Sequence, residues 1–393
     1  MLRFVSIATL VAAFALSAVA SYIACYVALV GLAILLVPGG GWRHALRPGG
    51  RELLLALLCV SLAAVLAGPL EPRNWLGPAV LLVPLLALGF PELARHAPRL
   101  AAPQAIAGMA LFGTALGLAV GVYDILVSQA DRAGVFNNPI HFSGLMVILG
   151  FICLVGFETV AGRWRHVFLA GPVLGVGGVL LSGSRGPFLA ALALAVLFAP
   201  AILYWHRRDR WLWSSLAVLL VGLGAVLTIS PLGPRAAGVL AELAAGFGAG
   251  NLTALDEGRS QMLGGAVQAF GQSPLWGYGW AGMMPAAEAF YPADSIFRGF
   301  DHLHADLANF AVLGGVLGLA AYGALLLAPI LAMLAVKGAN RRLAFVVGGT
   351  ASLGYLVLGL TNSMFGLLPQ TVLYAALMGW LFLLADRDEP KRA

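Results

Sequence analysis

Charge is what this sequence has least of. Its 393 residues carry only 23 basic and 17 acidic side chains, 10% of the chain, against roughly a quarter in an ordinary soluble domain. A water-soluble globule is excluded. Cysteine is nearly missing too: Cys25, Cys59 and Cys153 all fall inside apolar runs, which excludes a disulfide framework and a four-thiolate metal site and reads as three inert thiols. The third scarcity is of ionisable groups at the centres of the apolar runs. Asp124, His141 and Asp306 sit toward the external ends and Glu158 toward an internal end. An ion-coupled transporter would place such groups near the membrane midplane, so transport is demoted.

What is present is apolar surface. Hydrophobic residues make up 61% of the chain and the mean hydropathy is +0.92, so lipid must be the solvent for much of the molecule. Fifty glycines suit helices that approach closely in a bilayer, where packing drives association. The expected fold is an all-α integral membrane bundle. The net charge of +6 reads as the basic bias that orients membrane proteins rather than as a nucleic-acid footprint.

Ten apolar runs bounded by charges or turn residues can be placed along the chain: Leu53–Leu70, Trp75–Phe90, Gln104–Val127, Phe142–Phe157, Val167–Leu181, Phe188–Trp205, Trp211–Ile229, Leu307–Val336, Leu343–Leu360 and Gly366–Leu384. The first stretch, Phe4–Pro38, is too long for one crossing and just long enough for two short helices turning near Ser21. The count is therefore about twelve spans. A cleaved signal peptide is the competing reading of the N-terminus, but no polar break with a convincing cleavage site follows.

With both termini in the cytoplasm, 17 of the Lys and Arg residues fall inside and six outside, namely Arg73, Arg132, Arg185, Arg235, Arg259 and Arg298. Every internal loop obeys the positive-inside bias, which an error in the helix count would scramble. The chain divides into a first membrane region (1–230), one large external loop (231–304) and a last membrane region with a cytoplasmic tail (305–393). A connection of that length inside a compact protein is either functional or disordered. Helix-like stretches at Ala236–Phe247 and Met262–Phe270, with aromatic anchors Trp276, Tyr278, Trp280, Phe290 and Tyr291, indicate an ordered one.

Polar groups concentrate at the external boundary: Asp124, Asp131, Arg132, His141, Arg185, Arg259, Asp301, His302, His304 and Asp306. Arg185 lies in the tight turn Ser182-Gly183-Ser184-Arg185-Gly186-Pro187, where the positive-inside bias should exclude arginine. It reads either as a snorkelling side chain or as an anion ligand whose guanidinium fork matches phosphate oxygens. Arg259, in Asp256-Glu257-Gly258-Arg259, reads either as an ordinary surface pair with its acidic neighbours or as part of a pyrophosphate cradle at a helix N-terminus. In Asp301-His302-Leu303-His304-Ala305-Asp306, His304 should stand just before a helix at the water boundary. The helix dipole there disfavours the imidazolium and leaves a ring able to accept a proton. A metal site built from the His-x-His pair and the two aspartates is the alternative chemistry. Asp306 also suits a purely structural cap.

Three groups of residues carry a family resemblance: Gly183-Ser184-Arg185-Gly186; Gly258-Arg259 with Pro274-Leu275-Trp276-Gly277-Tyr278-Gly279; and His302-Leu303-His304 followed by Gly315-Val316-Leu317-Gly318. In order and placement they resemble the O-antigen ligase and polymerase superfamily of bacterial envelopes. The resemblance implies a GT-C-like inner-membrane glycosyltransferase, independent of metal and of any cofactor, that uses an undecaprenyl-diphosphate-linked glycan as donor. It implies that Arg185 and Arg259 hold the diphosphate and that His304 activates the acceptor hydroxyl; His302, Ser184 and Asp306, beside them in the sequence, are candidate supporting residues. The acceptor most in keeping with it is the lipid A core oligosaccharide, with inversion at the anomeric carbon. A polymerase or protein O-glycosyltransferase of the same superfamily, or a transporter of lipid-linked sugars, is the alternative. The partners implied are the donor, the acceptor and membrane lipids, with no nucleic acid. Two positions depart from the family's pattern: Ala305 follows the histidine where asparagine is frequent, and the usual glutamate of the following helix is absent. Both bear on the acceptor more than on the donor.

Overall fold

The structure is a computed structural model that describes residues 1–38, 41–229 and 257–388, with isolated positions between 234 and 245. Every regular element among them is helical. The chain opens with two short apolar helices, α1 (Leu2–Leu16) and α2 (Ser21–Leu36), which reverse at residues 17–20. At 1.5 Å per residue, the 16 residues of α2 extend about 24 Å, short of the roughly 30 Å of a hydrocarbon core. Six helices long and apolar enough to cross a membrane follow: α3 (Gly50–Ala67), α4 (Pro72–His96), α5 (Pro103–Leu126), α6 (Pro139–Thr159), α7 (Gly162–Ser182) and α8 (Arg185–Trp205). The apolar α9 (Arg210–Ile229) leads into the long connection, whose described part holds α10 (Glu257–Gln272) and α11 (Gly279–Glu288). Three further long apolar helices complete the chain: α12 (Asp306–Ala335), α13 (Gly338–Thr361) and α14 (Leu368–Asp388).

Each apolar run placed from sequence thus corresponds to a helix, and nine of the described helices have the length and composition of a membrane crossing. The expected stretch Met262–Phe270 lies within the longer α10. The stretch Ala236–Phe247 lies largely outside the described residues.

The bundle centre is α6 and α14: within each, 89% of the most apolar window is buried by protein, against 39% for α3, α5 and α8. Small residues permit this. Where α6 passes α7, a Cβ on Gly150 would stand 2.7 Å from the Gly171 carbonyl oxygen, and one on Gly175 2.8 Å from that of Met146. The two backbones are nearly in contact, as expected where helices associate by close packing. The three cysteines are free and buried.

α12 is broken near its start. Gly315 takes φ 56° and ψ −136°, a conformation closed to side chains with a Cβ. The Pro274–Tyr278 turn docks in the opening. Val316 N–H donates to the Pro274 carbonyl (2.8 Å) and Tyr278 N–H to that of Val312 (3.0 Å). Two of the sequence motifs, distant in the chain, are therefore one structural unit that ties the end of the long connection to the helix bundle.

Candidate functional site

The site is built where consecutive spanning helices end on one face. α7 stops at Gly183, whose φ of 62° gives a left-handed cap. Ser182 Oγ donates to Ser184 Oγ at 2.9 Å, so the turn into α8 is held from within. It is also held from outside by Arg132, on the loop between α5 and α6. The Arg132 Nε donates to the Ser182 carbonyl at 2.6 Å and its Nη2 to Ser184 Oγ at 3.1 Å, while Ala133 N–H donates to the Leu181 carbonyl at 3.1 Å. Ser184, expected as a supporting residue, is buried and serves as a fastening point for Arg132.

The loop that carries Arg132 is itself constrained. Asp124 Oδ2 accepts from Gly134 N–H (3.2 Å) and Val135 N–H (2.8 Å). Val135 and Phe136 both take positive φ, 50° and 60°, which is strained for a β-branched residue and persists only when the surroundings over-determine it.

Arg185 is the first residue of α8 and Arg259 the third of α10. Burial first, and then the charges of Arg259 and Arg185, hold the Arg132 guanidinium below its ordinary value. Arg185 and Arg259, from two separate segments, therefore each lie within electrostatic range of Arg132. Gathering like charges is unfavourable unless an anion shares them.

The histidines form the adjoining corner. His304 stands two residues before α12, as the sequence predicts, and takes φ 51°, an uncommon conformation for a residue with a side chain. Its setting is fixed on both sides: Leu303 is buried and donates its N–H to Asn309 Oδ1 (2.8 Å), and Asn309 Nδ2 donates to Ser363 Oγ (3.3 Å). The His304 ring packs at 4.3 Å between centroids from His302 and edge-on at 5.3 Å from Phe300. Burial, and then the neighbouring His304, pushes the His302 imidazole down to about 4. His141, in the first turn of α6, lies within electrostatic range of both. His302 also lines a cavity of about 150 Å³ with Trp280, Met283, Phe310 and Leu313, and its buried Nε2 has no hydrogen-bond partner among the described residues.

The two corners share a wall. The first turn of α8 packs so closely on the end of α13 that a Cβ on Gly186 would collide with Thr361. The loop after Thr361 is gripped by Asp306, which opens α12. The fully buried carboxylate of Asp306 accepts from Met364 N–H (2.9 Å), Phe365 N–H (3.3 Å) and Ser363 Oγ (3.2 Å). Arg185 and His304 therefore flank the same short loop, and residues 132–141 run from the arginine corner to the histidine corner. Asp306, considered from sequence as a cap or as a metal ligand, has its oxygens turned to this loop. Among the described residues, no group of three or more His, Cys, Asp or Glu is placed to hold a metal ion, so the His-x-His pair and both aspartates do not assemble into one centre.

Arg132 and His141 were not singled out by the sequence reading beyond their place among external polar groups. Arg132, like Arg185, is an arginine retained where the positive-inside bias disfavours it, and this is the signal in the sequence that marks it.

The fold is that of an all-α, multi-pass membrane protein with a cluster of arginines and histidines gathered at one membrane face. Residues 170–323, less than half of the chain, match the family model described as O-antigen ligase. The matched segment contains Arg185, Arg259 and His304; Arg132 and His141 lie before it. No curated protein matches the chain.

Proposed function

We propose that this chain is a metal-independent, inverting glycosyltransferase that moves a glycan from undecaprenyl diphosphate to the lipid A core oligosaccharide on the periplasmic side of the bacterial inner membrane. In this reading the chain crosses the membrane twelve times in a GT-C-like arrangement, with both termini cytoplasmic and residues 231–304 forming the periplasmic loop. The observation that supports it best is the convergence of Arg185 and Arg259 on Arg132, with Arg185, Arg259 and the packed His302–His304 pair all in the segment that matches the O-antigen ligase family model.

The chemistry follows from charge. When the glycan leaves, the bond between its anomeric carbon and the phosphate oxygen breaks and negative charge collects on the diphosphate. Fixed guanidinium groups at a partly desolvated boundary stabilise that charge in the transition state. Arg185 and Arg259 hold the diphosphate. Arg132 fixes the turn that presents Arg185 and adds to the local field. On the opposite face of the sugar, an acceptor hydroxyl forms the new carbon–oxygen bond and gives its proton to His304, which acts as general base. Attack opposite to departure inverts the anomeric configuration.

The test is an acceptor assay. Purified protein receives polyprenyl-diphosphate-linked glycan and either rough lipopolysaccharide or carrier-linked repeat units. The proposal expects glycan on lipid A core. Elongation of carrier-linked material with no lipid A product would assign the chain to the polymerases, and glycan moved across a bilayer with no new glycosidic bond would make it a transporter.

A further inference from the structure

The membrane face opposite the arginine–histidine site carries a second charged pocket, which the transferase chemistry does not use. A cavity of about 590 Å³ opens there between the start of α7, the loop that joins α8 to α9 and the start of α13, with Arg165, Arg207, Arg208 and Arg342 in its walls. Two carboxylates face these four guanidinium groups, and both are engaged in holding the loops together. Asp209 Oδ2 accepts from Arg165 Nη2 (3.2 Å) and pairs with His166 Nε2 (3.1 Å). Glu158, buried at the end of α6, pairs with His206 Nε2 at 2.6 Å and more distantly with Arg342 Nη1 at 3.6 Å. Arg165 Nη2 also donates to His206 Nδ1 at 2.8 Å, which fixes that ring between the two carboxylates.

Outside this inner network lies unneutralised charge. Arg207 and Arg208 are exposed and make no ion pair among the described residues. Two of the guanidinium groups are stacked on aromatic rings: Arg207, which has no ion pair among the described residues, lies 5.5 Å from the Tyr204 ring centre, and Arg342, whose only ion pair among them is the distant one to Glu158, lies 5.1 Å from that of Trp205. Stacking holds the guanidinium plane and leaves its N–H edge directed outward. The height of the pocket is marked by exposed aromatic rings around it, Trp164, Tyr204 and Trp211. Such rings settle at the headgroup level of a bilayer.

We infer that this pocket binds the phosphate headgroup of an anionic glycerophospholipid from the leaflet opposite the transfer site. The charge sign selects an anion, the guanidinium edges select phosphate, and the aromatic rim puts the pocket at the depth where phospholipid phosphates lie. Basic pockets between membrane helices commonly serve this purpose. The inference does not depend on the transferase reading.

The experiment uses the full chain, purified in detergent and depleted of lipid, with bound lipid counted by native mass spectrometry. Phosphatidylglycerol should be retained in preference to phosphatidylcholine of the same acyl chains. Arg208→Gln should weaken retention about fivefold, and Arg207→Gln with Arg208→Gln about 25-fold. Both side chains are exposed, so thermal unfolding should be unchanged. Arg73→Gln, on the other face, should retain lipid like the parent. Millimolar glycerol 3-phosphate should not displace the lipid. Equal retention of phosphatidylcholine, undiminished retention in the double variant, or displacement by the soluble ester would each overturn the inference.

Discussion

Arg132 illustrates how much of this site depends on a single side chain outside the matched segment. It uses two different nitrogens to hold Ser182 and Ser184, a spacing set by the planar guanidinium fork that the single ammonium of lysine does not reproduce. Arg132→Lys is expected to raise KM for the lipid-linked donor more than it lowers kcat, and Arg132→Gln to do so more strongly. Arg185→Gln removes a preorganised donor and should lower transfer by about 10² to 10³, with Arg185→Lys recovering only part of that loss. A fully active Arg185→Lys protein would instead support a snorkelling side chain. His302 makes a separate prediction about pH. Its folded-state value is about 4, below the ordinary value of about 6.5, so between these two limits the unfolded chain binds a proton that the folded chain refuses. Stability from this group is intact above pH 6.5 and is lost as pH falls toward 4. Thermal unfolding followed from pH 7 to pH 4.5 should show a decline that is shallower in His302→Gln.

At the scale of elements, the broken start of α12 is the joint between the long connection and the bundle. A Cβ on Gly315 would stand 2.5 Å from the Pro274 carbonyl oxygen, on a backbone already at positive φ. Gly315→Ala should therefore destabilise the protein by at least about 1–3 kcal/mol. Gly323→Ala, in the same helix with nothing within 4 Å of the new methyl, should be neutral or stabilising by up to about 1 kcal/mol. Equal melting temperatures for the two variants would contradict the docked-turn arrangement. The helices themselves were legible in the sequence because membrane spans announce themselves by apolar length: Leu307–Val336 was placed within a residue of each end of α12. The break at Gly315 was not, since a glycine inside an apolar run looks the same whether it packs or bends. His304 could be set before a helix from its place in the sequence, but its positive φ could not, because the backbone just before it is held by Asn309, which is itself tied to Ser363 more than fifty positions later. Asp306 was legible only as a polar group at a helix start. Which way its carboxylate turns depends on residues 363–365, nearly sixty positions later.

At the scale of the whole molecule, the two membrane faces differ in kind. One gathers arginines and histidines around a strained turn and a buried aspartate. The other holds its arginines at an aromatic rim. The sequence alone separated the faces through its basic-residue asymmetry, while convergence within each face required the fold. The central claim is that arginines bind the carrier diphosphate and His304 performs the proton transfer in one shared centre. It is tested most directly by measuring two quantities on His304→Ala: its affinity for undecaprenyl diphosphate and its rate of glycan transfer in the purified system. The account predicts affinity equal to that of the parent protein with transfer abolished. Transfer at the parent rate, or loss of diphosphate binding in a folded His304→Ala protein, would contradict it.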